Sequence, residues 1–308
     1  MVNLTLKLFS LIIGIFIFVS IFFFFNLDFE KFIQTMKGAN IKLVFLSFII
    51  FLFYFPVYSY RVHLFTKCMG VSSFKKVSYI TFASLALNYI TPFKLGIPGK
   101  IYLFNRHFDL SYTKNILITF MELFTDIITF SIISFIGIFF IIKDTNYILP
   151  LVLILFLLIS SSFFILHFRL PSFFIKSLPS IVSDKIILFK KSVNKSLNLI
   201  YKLSFVGLIL ALLTLIIQAL MLMILFNGFD TQIGFFILAV IVSISYLLGF
   251  ISMIPGGIGV KDLTMTSLFI KVGIEPTMAL SVTLIFRFIT FFTIIFIGII
   301  SFYFMNRK

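Results

Sequence analysis

Residues 254–262 read IPGGIGVKD, and residues 91–100 read TPFKLGIPGK. Both runs interrupt long apolar stretches with proline, glycine and lysine, at a depth where the core of a bilayer is expected. Irregular backbone is tolerated there only where it is buried in protein or lines a water-filled cavity. A pair of such breaks in corresponding places of two halves is typical of a transporter's binding site.

The composition indicates the broad class of protein. The chain is 61% hydrophobic and 11% charged, with a mean hydropathy of +1.21, far from the balance of a soluble domain. Its apolar runs are long and unbroken, whereas an outer-membrane barrel would alternate in polarity over segments of about ten residues. The sequence therefore predicts an all-α, polytopic integral membrane protein.

Apolar segments recur along the whole chain, which we treat as a single transmembrane domain over 1–308. The first, Leu8 to Leu27, has the length of a full span and no small-residue cleavage site after it, so we expect a retained helix rather than a signal peptide. The others run at about 43–60, 77–90, 115–142, 148–167, 205–227, 233–254 and 276–305.

The two broken segments, 77–104 and 233–275, are interpreted as re-entrant hairpins that enter from opposite faces. This leaves about six full transmembrane helices and divides the chain into a first half at about 1–167, a basic connector at 168–202 and a second half at 203–308. The alternative is that both broken segments are full spans, since 233–254 is long enough to cross completely.

Lysine and arginine fall unevenly between these segments. With two hairpins, most of the 25 basic residues, among them Arg61, Arg307, Lys308 and those of the connector, lie on one face. The positive-inside rule makes that face cytoplasmic, so both termini are expected in the cytoplasm and the protein in the plasma membrane. The connector mixes phenylalanine and isoleucine with lysine, as an amphipathic interfacial helix does. Because the formal charge of +15 is spread over several loops, we expect no nucleic-acid partner.

Seven charges remain inside the predicted membrane segments. Each costs roughly 2.5–3.5 kcal/mol at the centre of a spanning helix on insertion scales, so they should face one another, the backbone or water. Glu122 and Asp126 stand four apart on one helix face. Arg287 has no acidic residue on its own helix beyond Glu275, so its partner must come from another segment. The seven are Lys94, Lys100, Lys261, Arg287, Glu122, Asp126 and Asp262.

The two halves match in layout. Glu122 follows Pro92 by 30 residues, and Arg287 follows Pro255 by 32. Each break therefore precedes a charged helix at a similar distance, the pattern expected of an inverted repeat with its site near the midplane.

The second break has the clearer chemistry. Its glycines permit tight turns, and a helix is expected to begin after Gly259, with unsatisfied N–H groups that suit a phosphate or carboxylate beside Lys261. Asp262 is either a helix-stabilising carboxylate or a partner of Lys261 or Arg287. The alternative is a re-entrant turn that needs glycine for packing alone.

The second break, followed by Gly273, Ala279 and Arg287, resembles the signature of the lysylphosphatidylglycerol synthase transmembrane, flippase-like family. That signature is proline-glycine-glycine, a further glycine, a basic and an acidic residue, and a later helix arginine. In the first half, Thr91-Pro92, Gly96 and Lys100 match the family's threonine-proline, glycine and basic positions, and Glu122 with Asp126 matches its acidic pair. The sequence departs from the family at Ile97-Pro98, where an acidic residue is usual, and at Leu123, where arginine is usual.

The motifs and the resemblance together indicate a set of site residues. Glu122 and Asp126 are expected to balance charge or to carry a coupling proton. No catalytic residue, metal ligand or cofactor is expected. The residues expected to bind substrate are Pro92, Lys94, Gly96, Lys100, Pro255, Gly256, Gly257, Gly259, Lys261, Asp262 and Arg287.

Family members fused to a soluble synthase domain aminoacylate phosphatidylglycerol and move the product across the bilayer. These 308 residues contain no such domain and no GxxxxGK[ST] loop, so the resemblance implies a translocation module rather than an enzyme. Its substrate would be an anionic or zwitterionic phospholipid or a polyprenyl-phosphate-linked lipid. Membrane lipids are the expected partners, with a separate lipid-modifying enzyme as a further one.

Two other functions stay open on the sequence. Broken helices also serve secondary transporters of small anionic solutes. A membrane-embedded lipid-phosphate transferase would need a metal-binding carboxylate pair, and Glu122 with Asp126 is the candidate. The histidines, His63, His107 and His167, lack metal-ligand spacing. The sequence carries no signal of the oligomeric state.

Overall fold

The computed structural model describes residues 29–141 and 180–305. The predicted spans at 8–27 and 148–167, together with Arg307 and Lys308, lie outside the described residues. Short 3-10 turns occur at Pro92–Lys94 and Pro255–Gly257. The helices are α1 (Phe29–Lys37), α2 (Ile41–Leu52), α3 (Tyr54–Lys67), α4 (Phe74–Ile90), α5 (Gly96–Phe108), α6 (Tyr112–Ile141), α7 (Ser180–Asn227), α8 (Phe235–Ile251), α9 (Val260–Lys271) and α10 (Pro276–Met305).

Several of these helices are long and apolar enough to cross a bilayer. Within the described ranges they are Ile41–Lys67, which joins α2 and α3, Tyr112–Gly137, Leu203–Asn227 and Pro276–Met305. The protein is therefore a multi-pass, all-α membrane protein, as the composition predicts.

Both predicted breaks are present. Helix α4 ends at Ile90 and α5 begins at Gly96, while α8 ends at Ile251 and α9 begins at Val260. The expected helix start after Gly259 is thus confirmed. Helix α4 packs against α5, and α8 packs against α9. Each break is therefore the turn of a helical hairpin.

The two halves repeat one order of elements. Helices α4 and α8 have 17 residues each, α5 and α9 have 13 and 12, and α6 and α10 have 30 each. Packing between the halves is reciprocal, because α4 packs against α10 and α8 packs against α6. Glycine allows the close approach at both crossings: Gly298 lies against Ala86, and Gly137 lies against Val240.

Helix α7 differs from the expected separate interfacial helix. The described part of the connector, from Ser180, continues as one 48-residue helix to Asn227. No glycine or proline occurs between Ser180 and Val206, so nothing in that stretch ends the helix. The change from basic to apolar residues therefore does not end the helix. Residues 168–179 lie outside the described residues.

Many buried hydroxyl groups are satisfied within their own helices. Ser84, Ser243 and Thr290, for example, each donate to the carbonyl four residues earlier. This arrangement removes the need for an external partner in an apolar environment. The polar groups that remain without such a partner therefore stand out as candidates for function.

Candidate functional site

The tips of the two hairpins meet. The N–H of Phe93 donates to the carbonyl of Met253 at 3.1 Å. Lys94 Nζ donates to the carbonyl of Phe250 at 2.8 Å and lies 3.5 Å from the centroid of the Phe250 ring. The two breaks, although far apart in the chain, are therefore in direct contact through hydrogen bonds.

A cavity of about 160 Å³ lies beside this junction. Its wall comes from both hairpins and from α3, α6 and α7. Five of the sequence-predicted site residues lie in it: Lys94, Asp126, Gly256, Gly257 and Lys261. Tyrosines and two polar residues of α7 complete much of the wall: Tyr54, Tyr58, Tyr89, Tyr246, Thr214 and Gln218.

The other predicted site residues do not line the cavity. Gly96 serves packing, because a Cβ there would overlap the carbonyl oxygen of Ser84. Gly259 adopts a φ of +83° where α9 begins, a conformation that glycine permits at little cost. The remainder are not among the residues of the wall: Pro92, Lys100, Glu122, Pro255, Asp262 and Arg287.

The two carboxylates of the first half form closed ion pairs. Lys100 Nζ lies 2.5 Å from Glu122 Oε2, and both side chains are buried. The hydroxyl of Tyr58 donates to the other carboxylate oxygen of Glu122. Arg61 holds Asp126 with two hydrogen bonds, at 2.5 and 2.9 Å. Both carboxylates therefore have a cation of their own.

Arg61 does not lie where the charge distribution predicts it. The sequence places it among the basic residues of the cytoplasmic face, whereas its side chain is wholly buried. The reason is that the helix does not stop at about residue 60 but continues to Lys67. A signal was present: Glu122 and Asp126 share one helix face and need two cations, and Lys100 supplies only one.

The charges of the second half are arranged differently. Asp262 Oδ2 accepts a hydrogen bond from the N–H of Gly259 at 3.0 Å, and its Oδ1 lies 3.6 Å from Arg287 Nη1. Arg287 Nη1 also donates to the carbonyl of Gly256 at 2.9 Å. The prediction that the partner of Arg287 comes from another segment is confirmed. Asp262 is both a helix cap and that partner, so the N-terminus of α9 is already partly neutralised.

Lys261 is left with an unused ammonium group. Its side chain is 4% exposed, and its Nζ has no hydrogen-bond partner among the described residues. The Nζ lies 3.4 Å from the centroid of the Tyr246 ring and 5.1 Å from that of Phe286. An aromatic face attracts a cation but leaves its three N–H donors without an acceptor. A buried ammonium in a cavity wall is suited to an anionic ligand.

The turns also differ in strain. Phe93 and Lys94 have φ values of +54° and +52°, in the left-handed region that residues with side chains rarely adopt. The equivalent residues of the other turn are Gly256 and Gly257, at +54° and +66°. Non-glycine residues held there cost of order 1–3 kcal/mol each, and such strain clusters at functional sites.

Across residues 29–141 and 180–305, no three His, Cys, Asp or Glu side chains come together in a way that could hold a metal ion. His63 and His107 lie within those ranges, and His167 lies outside them.

The sequence is similar to that of known membrane proteins. The model of the family described as the lysylphosphatidylglycerol synthase transmembrane region matches residues 11–298. A UPF0104 membrane protein of Methanothermobacter thermautotrophicus is 32% identical over 92 residues, which are 30% of this chain and 28% of that protein. A UPF0104 membrane protein of Pyrococcus horikoshii is 45% identical over 47 residues, 15% of this chain and 14% of that protein. These matches cover less than a third of either relative.

Proposed function

The chain belongs to the lysylphosphatidylglycerol synthase transmembrane-region family, and from that premise we propose that it is a lipid flippase or scramblase. It moves an anionic or zwitterionic phospholipid, or a polyprenyl-phosphate-linked lipid, between the leaflets of the plasma membrane. In this proposal it acts as a transporter and not as an enzyme.

The observation that carries the proposal is the unpaired ammonium of Lys261 in the cavity wall. A lipid headgroup entering the cavity would supply the missing acceptor through its phosphate. A charge-assisted hydrogen bond in a site of low dielectric constant is roughly twice as strong as a neutral one. Lys94, also in the wall, would supply a second cation when it leaves the carbonyl of Phe250.

Arg287 takes a positioning role in this mechanism. Its Nη1 holds the carbonyl of Gly256, and that glycine belongs to the cavity wall. The guanidinium therefore fixes the turn that carries Gly257 and leads into Lys261. Because Arg287 itself does not line the cavity, it acts through the turn rather than on the phosphate.

Apolar residues at the hairpin tips favour a lipid over a free solute. Phe93 is 75% exposed, Leu95 51% and Met253 49%. These side chains flank Lys94, which belongs to the cavity wall. Acyl chains could therefore stay against an apolar surface while the headgroup enters the polar cavity.

Passage of a headgroup requires the hairpin tips to part. The contacts that join them are the hydrogen bonds from Phe93 to Met253 and from Lys94 to Phe250. Rocking of one repeat against the other would open the cavity to each leaflet in turn, as in other repeat-built transporters.

The proposal is tested by headgroup accessibility in proteoliposomes. Labelled phospholipids and a labelled polyprenyl phosphate are placed in both leaflets, and a membrane-impermeant reagent measures the protected fraction. We expect wild-type protein to abolish protection for at least one lipid and Arg287→Ala to restore it. Protection that stays intact across the panel, together with uptake of a small anion, would contradict lipid transport and favour the solute transporter.

A further inference from the structure

Gln218 is a polar residue of the cavity wall that the proposed mechanism does not yet use. It lies in the membrane-crossing part of α7, Leu203–Asn227, and its side chain is 1% exposed. A buried amide in a membrane span is costly and tends to mark a substrate pathway. Being neutral, it was not among the residues that the sequence analysis singled out.

Half of the Gln218 amide is satisfied by its own helix. Its Nε2 donates to the carbonyl of Thr214 at 3.3 Å, which leaves Oε1 as the free atom. Oε1 is buried and has no hydrogen-bond partner within the described part of the chain. An unpaired carbonyl oxygen in an apolar setting is unfavourable until a donor reaches it.

Gln218 and Lys261 lack opposite kinds of hydrogen-bond partner. The ammonium of Lys261 has donors without an acceptor, and the amide of Gln218 has an acceptor without a donor. Both belong to the wall of the same cavity. One ligand that carries an anionic group and a hydrogen-bond donor in the same small moiety would satisfy both, and the anionic group suits the charge of Lys261.

We propose that Gln218 determines headgroup specificity: its Oε1 accepts a hydrogen bond from a hydroxyl or primary ammonium of a headgroup whose phosphate is bound by Lys261. The inference rests on the proposed lipid transport. It names the substrate class as phosphodiester lipids with a donor-bearing headgroup, such as glycerol or ethanolamine. Choline, which has no N–H or O–H, leaves Oε1 unpaired and is disfavoured.

The test compares three lipids in proteoliposomes: phosphatidylglycerol, phosphatidylethanolamine and phosphatidylcholine. We expect wild-type protein to move the first two about tenfold faster than the third, the factor that one hydrogen bond provides. Gln218→Leu should slow the first two about tenfold and leave phosphatidylcholine unchanged. Gln218→Glu, which keeps an acceptor, should still move phosphatidylethanolamine.

Gln34→Leu is the matched control, because Gln34 is exposed on α1. Thermal unfolding in detergent checks that all variants fold. Wild-type selectivity in Gln218→Leu, or an equal slowing of all three lipids, would overturn the specificity role while leaving lipid transport in place. Absence of any lipid movement by folded wild-type protein would overturn both the inference and the proposed function.

Discussion

The two hairpins have similar helix lengths but opposite arrangements of charge. In the first half the hairpin contributes the cation Lys100, and the long helix α6 contributes the carboxylate of Glu122. In the second half the hairpin contributes the carboxylate of Asp262, and the long helix α10 contributes the guanidinium of Arg287. The two halves therefore have the same order of elements but place the cation and the carboxylate on opposite members of each pair.

Neutralisation separates the halves further. In the first half the buried cations Lys100 and Arg61 are each paired with a carboxylate. The second half keeps one cation in excess, Lys261. The paired charges of both halves therefore hold the fold, and under the proposed function Lys261, with Lys94 of the first half, binds the ligand.

The two turns also differ in which residues adopt the left-handed conformation. Glycines occupy the left-handed positions of the second turn, whereas Phe93 and Lys94 occupy them in the first. Glycine would relieve the strain in the first turn. That side chains stand there instead fits a use for them: Lys94 in the cavity wall and Phe93 on the apolar surface.

The largest effect is expected from breaking a closed pair. Lys100→Met leaves the carboxylate of Glu122 buried without its cation, which should lower the free energy of unfolding by about 3–5 kcal/mol. Thermal or denaturant unfolding in detergent measures it. The double variant Lys100→Met with Glu122→Gln should regain most of the loss, and a double variant as unstable as the single one would show that the pair does not act as a unit.

Next comes the glycine four residues after each proline. Gly259 is needed for its positive φ, but Gly96 is needed for space beside Ser84. Gly96→Ala should destabilise by about 1–3 kcal/mol through overpacking. Gly99→Ala is the control, since its Cβ would make an ordinary 3.6 Å contact with Leu87. Equal unfolding midpoints for the two variants would contradict this role of Gly96.

The same lysine-to-methionine change should have the opposite sign in the second half. Lys261→Met removes a buried charge that has no acceptor, so stability should rise by roughly 1–2 kcal/mol after loss of the contact with Tyr246. Unfolding midpoints of Lys261→Met and Lys100→Met, measured side by side, provide the check. If both variants lose stability to the same extent, the contrast between the halves is wrong.

The smallest effect is expected outside the membrane, in the loop between α9 and α10. Hydrogen bonds from Lys31 and Thr277 lower the pKa of Glu275. A lowered carboxyl pKa contributes stability above the unfolded-state value, and that stability is lost as pH falls through the folded-state value. The side chain is 45% exposed, so the contribution should stay under about 1 kcal/mol. Lys31→Met should make the free energy of unfolding fall less steeply as the pH is lowered. An unchanged dependence on pH would show that the pair of Lys31 and Glu275 does not stabilise the protein.

The sequence was informative where a local signal stood against an apolar background. Proline and glycine predicted both hairpin turns, and the lone charge of Arg287 predicted a partner on another helix. Arg61 was assigned wrongly because hydropathy marks a helix end poorly. Gln218 gives no charge signal because its amide is neutral, and the role that we propose for it depends on which helices pack around the cavity. The uninterrupted α7 was missed because polarity, rather than helix-breaking residues, was used to set its start.

The most direct test of the central claim is lipid movement by Lys261→Met in proteoliposomes, measured with the lipid that wild-type protein moves fastest. Lys37→Met, on the exposed surface of α1, is the matched control. We predict that Lys261→Met protein folds and inserts normally yet leaves inner-leaflet headgroups protected, while Lys37→Met moves lipid at the wild-type rate. Wild-type transport by Lys261→Met would contradict the assignment of the cavity between the hairpins as the headgroup site.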